Sequence, residues 1–394
     1  MKKIILLVLI LNAILYAKPT MSQKSYETLM KAQKHIDVNE IKKAKESLNK
    51  LLKEENDYAK SYAYQYLANI ALQDNDYIKT QEYYVNIIKL NLLTKESINQ
   101  IKLSLSKICL SLEEYEVSIK LSHELLIDTK ISKTDIYETL IYSYYYTKEF
   151  RKSISYIKKQ MNSSQKKKEN IYQILYSSYI ELKNYTQAIS TLNIMVRLWP
   201  KQQNYWLQLI SLYQETKQYK KALSTIELSY KKGILNPQKN TQFFVNLLLQ
   251  NNLYQKASMT IENGIKKGYI EEDKKTFELL ISSYLNAKEF NKVITVLSKS
   301  KFAKNKKFKK ILANLHYQQQ DYKSSIHVLN SIPSKRNNKI DADDQILLAL
   351  CYYEENHIKE TTFHLQKALH TKKKKRALEI AKILRIDISN SDNI

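Results

Sequence analysis

Glycine, proline, cysteine and tryptophan are nearly missing from this sequence, at three, four, two and two residues in 394. Sheet hairpins and phosphate-cradling loops both draw on residues that tolerate positive φ, and glycine supplies most of these. With glycine only at 233, 264 and 268, neither a GxxxxGKS/T loop nor a GxGxxG turn can be assembled. Nucleotide binding of those kinds is excluded. The expectation is a chain with few positive-φ positions that is nearly all helix.

Two cysteines, Cys109 and Cys351, give no disulfide framework. They are expected to be buried free thiols, too far apart in an extended array to pair. The seven histidines are His35, His123, His316, His327, His357, His364 and His370. None lies in an HExxH pair, since "SHELLI" carries Ile127 where a second histidine is needed. They read as structural residues rather than metal ligands. No catalytic, cofactor-binding or metal-binding residue is assigned, no cofactor is expected, and the chain does not read as an enzyme.

Acidic residues are also scarce, 39 against 64 Lys and Arg, for a net charge of +25. Lysine is abundant throughout, and its runs ("SQKKKEN", "KFAKNKKFKK", "TKKKKRA") fall between helical segments, where solvated charge costs little. Such a balance admits peripheral contact with an anionic membrane surface. Nucleic acid is set aside, because it conflicts with the leader described next.

Long apolar runs are missing except at the start, "MKKIILLVLILNAILYAKPT". Lys2 and Lys3 form a positive n-region, Ile4–Leu15 an apolar h-region, and Ala17 a small-residue exit. This is the layout of a secretory signal peptide over 1–17, and the run is short for a membrane span. No cysteine follows it for lipid attachment. The expected location is the periplasm; the alternative is an uncleaved inner-membrane anchor facing the periplasm.

What is present is a repeat. Around "KQQNYWLQLISLYQETKQYKKAL" at 201–223, a hook of Tyr219 with Ala222 three residues on recurs along the chain. Hooks begin at Ile41, Tyr77, Tyr115, Phe150, Tyr185, Tyr219, Tyr254, Phe290, Tyr322 and Ile358, at spacings of 32 to 38 residues. Three residues after each comes a small or β-branched residue: Ala44, Thr80, Ser118, Ser153, Ala188, Ala222, Ala257, Val293, Ser325 or Thr361. Ten residues before nine of them lies a leucine or, once, Phe244. A tyrosine often follows that leucine by four, as in Leu140/Tyr144 and Leu209/Tyr213, on the same helix face. One unit cannot bury such a face alone, so the units are expected to stack.

The Trp206, Leu209, Tyr213, Tyr219, Ala222 spacing, with Pro200 closing the preceding unit, resembles the tetratricopeptide repeat. The unit with Tyr172, Leu175, Tyr179, Tyr185 and Ala188 matches as well. Departures occur after the leucine, where Tyr176, Ile210, Val245 or Ile281 replaces a small residue. The resemblance implies an all-α, right-handed solenoid of about ten helix-turn-helix units. The expected layout is a leader over 1–17, the solenoid over 18–385 and a tail over 386–394.

A leader followed by a long array, with Pro200, Tyr205-Trp206, Leu209, Tyr213, Tyr219, Ala222-Leu223 and Gly233 in its middle, also looks like the periplasmic tetratricopeptide proteins that accompany TonB/ExbB/ExbD systems. That resemblance implies a non-enzymatic accessory to outer-membrane uptake with TonB, ExbB or ExbD as partners. The alternatives are a scaffold for cell-wall or outer-membrane assembly and a basic module on anionic envelope surfaces.

In tetratricopeptide solenoids the first helices line the concave face. The residues expected there are Gln65, Asn69, Gln73, Glu138, Tyr142, Tyr145, Gln173, Ser177, Glu181, Asn204, Ser211, Gln242, Asn246 and Gln250. Amides offer donors and acceptors to a peptide backbone, and tyrosine adds rigid apolar area with a polar tip.

Overall fold

The computed structural model describes residues 20–127, 130–163, 166–332 and 341–388. The 1–17 leader and residues 389–394 of the tail lie outside the described residues. Among the described residues there are 21 α-helices and no strand.

The chain divides into two compact units between Pro200 and Lys201. The first holds α1 (Gln23–Asp37), α2 (Ile41–Leu51), α3 (Asp57–Gln73), α4 (Tyr77–Leu90), α5 (Lys95–Ser111), α6 (Tyr115–Ile127), α7 (Lys133–Tyr146), α8 (Phe150–Ser163), α9 (Glu169–Glu181) and α10 (Tyr185–Leu198). The second holds α11 (Gln203–Glu215), α12 (Tyr219–Lys231), α13 (Pro237–Gln250), α14 (Tyr254–Lys266), α15 (Lys274–Asn286), α16 (Phe290–Lys299), α17 (Lys306–Gln318), α18 (Tyr322–Asn330), α19 (Ala342–Glu354), α20 (Ile358–Leu369) and α21 (Lys374–Leu384). Within each unit every helix packs on the next, so each unit is a stack of tetratricopeptide-like hairpins.

Every hook residue is the first residue of an even-numbered helix. The small residue three positions later is fully buried in each hairpin, at 0% exposure from Ala44 through Thr361. A larger side chain there would hold the two helices apart. Three of the serines add a bond across the hairpin: Ser118, Ser153 and Ser325 donate to the carbonyls of Ser106, Ile141 and Ala313 at 2.8, 2.9 and 2.9 Å. Of the bulky residues that depart from the repeat pattern, Ile210, Val245 and Ile281 are buried in the core and Tyr176 is half-buried.

The turns correct one expectation. Few positive-φ positions were anticipated from the scarcity of glycine, yet twelve non-glycine residues take φ between 50 and 63° among the described residues. Ten of these stand two residues before a hook: Asn39, Asn75, Glu113, Lys148, Lys183, Lys217, Asn252, Lys288, Gln320 and Asn356. The next residue's N–H then reaches back to close the first helix, as when Gln218 bonds to the Tyr213 carbonyl at 2.7 Å. This is the left-handed helix stop that usually takes glycine. Stacking of the flanking helices imposes it here on lysine and asparagine.

The outer hairpins at Ile41 and Ile358 are fully formed, and α21 packs on the last of them. The packed chain runs past 385. Ile388 is buried in a cluster with Ala349, Leu365 and Ala381.

Candidate functional site

The first helices meet side by side in the first unit, and polar residues link them. Glu138 on α7 pairs with Lys168, just before α9. Asn170 on α9 donates its amide to the Tyr142 hydroxyl at 2.5 Å. In the second unit Gln214 on α11 donates to Gln250 on α13 at 3.2 Å.

These contacts sort the residues assigned from the sequence. Glu138 and Tyr142 are half-buried and already hold neighbouring repeats together. Tyr145 packs its ring against Tyr146 and Phe150 at 5.6 and 5.7 Å. Gln65 and Ser177 are half-buried. Asn69 and Gln73 on α3, and Gln173 and Glu181 on α9, are exposed. Asn204 and Ser211 on α11, and Gln242, Asn246 and Gln250 on α13, are exposed in the second unit, where Gln242 donates to Asn246 at 3.4 Å. The fourteen positions are thus divided between two units rather than gathered in one site.

The sequence reading passed over α5. An open cleft of about 540 Å³ lies between α5 and the start of α7. Asn99, Gln100, Leu103 and Lys107 line one side and Ile131, Ser132 and Asp135 the other. Lys130 pairs with Glu96 across its mouth at 3.4 Å. The register was available, because Leu103 and Lys107 hold the places relative to their hook that Gln65 and Asn69 hold in the preceding repeat.

Four histidines and both cysteines are engaged within the fold. His35 pairs with Glu40 at 2.7 Å and His316 with Asp321 at 3.0 Å, bridging the turns of two hairpins at the same register. His123 meets the Tyr144 hydroxyl at 2.7 Å. His364 bonds to Gln345 at 2.7 Å, and burial pushes it down to about 4. Cys109 and Cys351 are buried free thiols. Burial pushes the first up to about 11 and raises the second. Among the described residues no three His, Cys, Asp or Glu side chains are grouped to hold a metal ion. Among them, no helix is long and apolar enough to cross a membrane.

The lysine runs carry more than solvated charge. Lys301 and Lys307 pair with Glu272 and Glu278 of the preceding repeat at 3.4 and 3.3 Å. Lys310 reaches Asp344 of the following repeat at 2.7 Å. Lys373 reaches back to Asp343 at 2.6 Å. Part of each run therefore joins consecutive hairpins.

No family model matches the chain, and no curated protein is similar to it in sequence. Solved structures resemble it loosely in shape. A tetratricopeptide repeat protein from Parabacteroides merdae is 14% identical, with 66% of this chain and 99% of that one covered and a TM-score of 0.40. Naa15/Naa10 bound to HypK-THB is 10% identical over 94% of this chain and 70% of that one, at 0.44. YrrB, described as a TPR protein with an unusual peptide-binding site, is 11% identical over 49% of this chain and 97% of that one, at 0.34.

Proposed function

We propose that this protein is a non-enzymatic interaction scaffold of the periplasm that docks an extended segment of a partner protein on its first-helix faces. The observation that carries the reading is the cleft between α5 and α7. It is open, lined by amide, lysine and carboxylate side chains, and floored by Leu103. Such a surface offers hydrogen bonds to a peptide backbone and a small apolar contact. Ordering of the partner segment limits its affinity.

The specific partner proposed is a component of a TonB/ExbB/ExbD energy-transduction system. It rests on the leader and on the central repeat around Trp206. Crosslinked capture of the full-length protein from its own cells, with N-terminal sequencing of the bait, tests it. Recovery of TonB, ExbB or ExbD on a bait beginning near Lys18 is the expected result. Cell-wall or outer-membrane assembly proteins on the same bait would replace the partner and keep the scaffold. A bait that retains Met1 and brings down neither class would overturn the reading.

A further inference from the structure

Antiparallel helices in series place all connections of one kind on one edge of a stack. In the second unit the turns inside hairpins lie along one edge and the connections between hairpins along the other. The two edges differ in charge. Among the connections, 231–239 carries three lysines, 299–310 seven, and 367–376 five lysines with Arg376, all without a carboxylate, while 266–274 sets Lys266, Lys267 and Lys274 against Glu271, Glu272 and Asp273. On the turn edge, 214–221 sets Glu215 beside three lysines, 288–292 sets Glu289 beside two, and 354–360 holds three glutamates and one lysine. A composition rich in lysine everywhere does not produce an excess concentrated on one edge.

The ion pairs between repeats take up only part of this charge. Glu271, Glu272 and Asp273 interrupt the edge, as do Asp341, Asp343 and Asp344; Glu272 holds Lys301, and the three aspartates hold Lys306, Lys310, Lys373 and Arg376. Lys232, Lys266, Lys304 and Lys375 are exposed and have no carboxylate partner among the described residues. One lysine also sits where the helix itself disfavours it. Lys374 opens α21, whose first turn holds no acidic residue and whose cap position is Lys373. A helix N-terminus repels cations, and a bound anion would relieve that conflict.

The side chains also indicate the class of anion. Arginine, which reads planar phosphate and base edges bidentately, is rare, at five in the whole chain. Phe277 and Phe308 at this edge are buried, and Phe302 packs on Phe277 with ring centres 5.1 Å apart. These rings are therefore not presented for stacking bases. Spread lysine charge suits a continuous array of phosphate headgroups. We propose that the connection edge of the second unit docks on an anionic phospholipid bilayer.

The test is sedimentation of the full chain with vesicles of phosphatidylcholine mixed with phosphatidylglycerol, against phosphatidylcholine alone. Two variants change the net charge equally: Lys232, Lys266, Lys304 and Lys375→Glu on the connection edge, and Lys217, Lys220, Lys288 and Lys359→Glu on the turn edge. Binding to the mixed vesicles alone, weakened steeply by salt, is expected. The connection-edge variant should lose about tenfold or more and the turn-edge variant about threefold or less. If the first variant loses its helical circular dichroism, the same four positions are changed to Gln, with a loss of about fivefold expected. Equal losses in the two variants would overturn the proposal. So would equal binding to phosphatidylcholine alone, which points to the apolar leader, or duplex DNA bound more tightly than vesicles at the same salt.

Discussion

Lys148, Lys183, Lys217 and Lys288 hold φ between 53 and 63° in turns where glycine would pay no steric penalty. A side chain in that region costs about 1 kcal/mol. Lys183→Gly should therefore raise stability by about 1 kcal/mol, while Asn252→Gly, whose residue tolerates the region, should change it little. Urea unfolding midpoints check both. Ser118 is a second residue whose role follows from its bonds. It donates to the Ser106 carbonyl and receives the Ser143 hydroxyl at 3.0 Å, linking one hairpin to the next. Cys351 repeats the arrangement, donating its thiol to Ser325 at 3.3 Å. Ser118→Ala leaves a buried hydroxyl unpaired and should cost about 1–2 kcal/mol in the same assay. His364 supplies a pH signature. Burial, with Lys367 assisting, holds it near 4 in the folded protein, so the unfolded chain binds the proton first. Its stabilising contribution is complete above about pH 6.5 and is lost as pH falls toward 4. With screening allowed for, the loss is about 2 kcal/mol, and His364→Phe should flatten the fall in melting temperature over that window.

At the scale of the element, the hairpin is set by one small residue and one turn. Ala222 has no exposed surface, and its Cβ faces the partner helix, so Ala222→Leu should cost about 1–3 kcal/mol by overpacking. Ser224→Leu on the exposed side of the same helix should stay within about 0.5 kcal/mol. Thermal unfolding of the pair separates packing from propensity. This is also where the fold was most legible. The hook register fixed each second helix to its first residue, because close approach permits little else at that position. The turn chemistry was not legible. Glycine is a sufficient sign of positive φ but not a necessary one, and helices stacked on both sides force lysine into the same geometry. The staples between hairpins, such as Lys310 with Asp344, were hidden for a different reason. Their partners lie 29 to 38 residues apart, on different elements, and lysine is too frequent here to mark them.

At the scale of the molecule, ten hairpins could be counted from the sequence because the period is local. The division between Pro200 and Lys201 could not, since every repeat boundary carries the same signature. The candidate face was legible only in part. Asn69, Gln73, Asn246 and Gln250 do lie exposed on first helices, but Glu138 and Tyr142 serve the stack, and the cleft on α5 went unnoticed. Sequence spacing places a residue on a face, and only its neighbours decide whether it is already engaged. The central claim is that first-helix faces receive a partner protein. Photo-crosslinking in living cells tests it most directly, with the crosslinker placed singly at Asn69, at Lys107 in the cleft, and at Lys158 on the exposed side of α8. The account predicts one discrete protein adduct from Asn69 and Lys107 and none from Lys158. An adduct from Lys158 alone, with both first-helix positions silent, would contradict it.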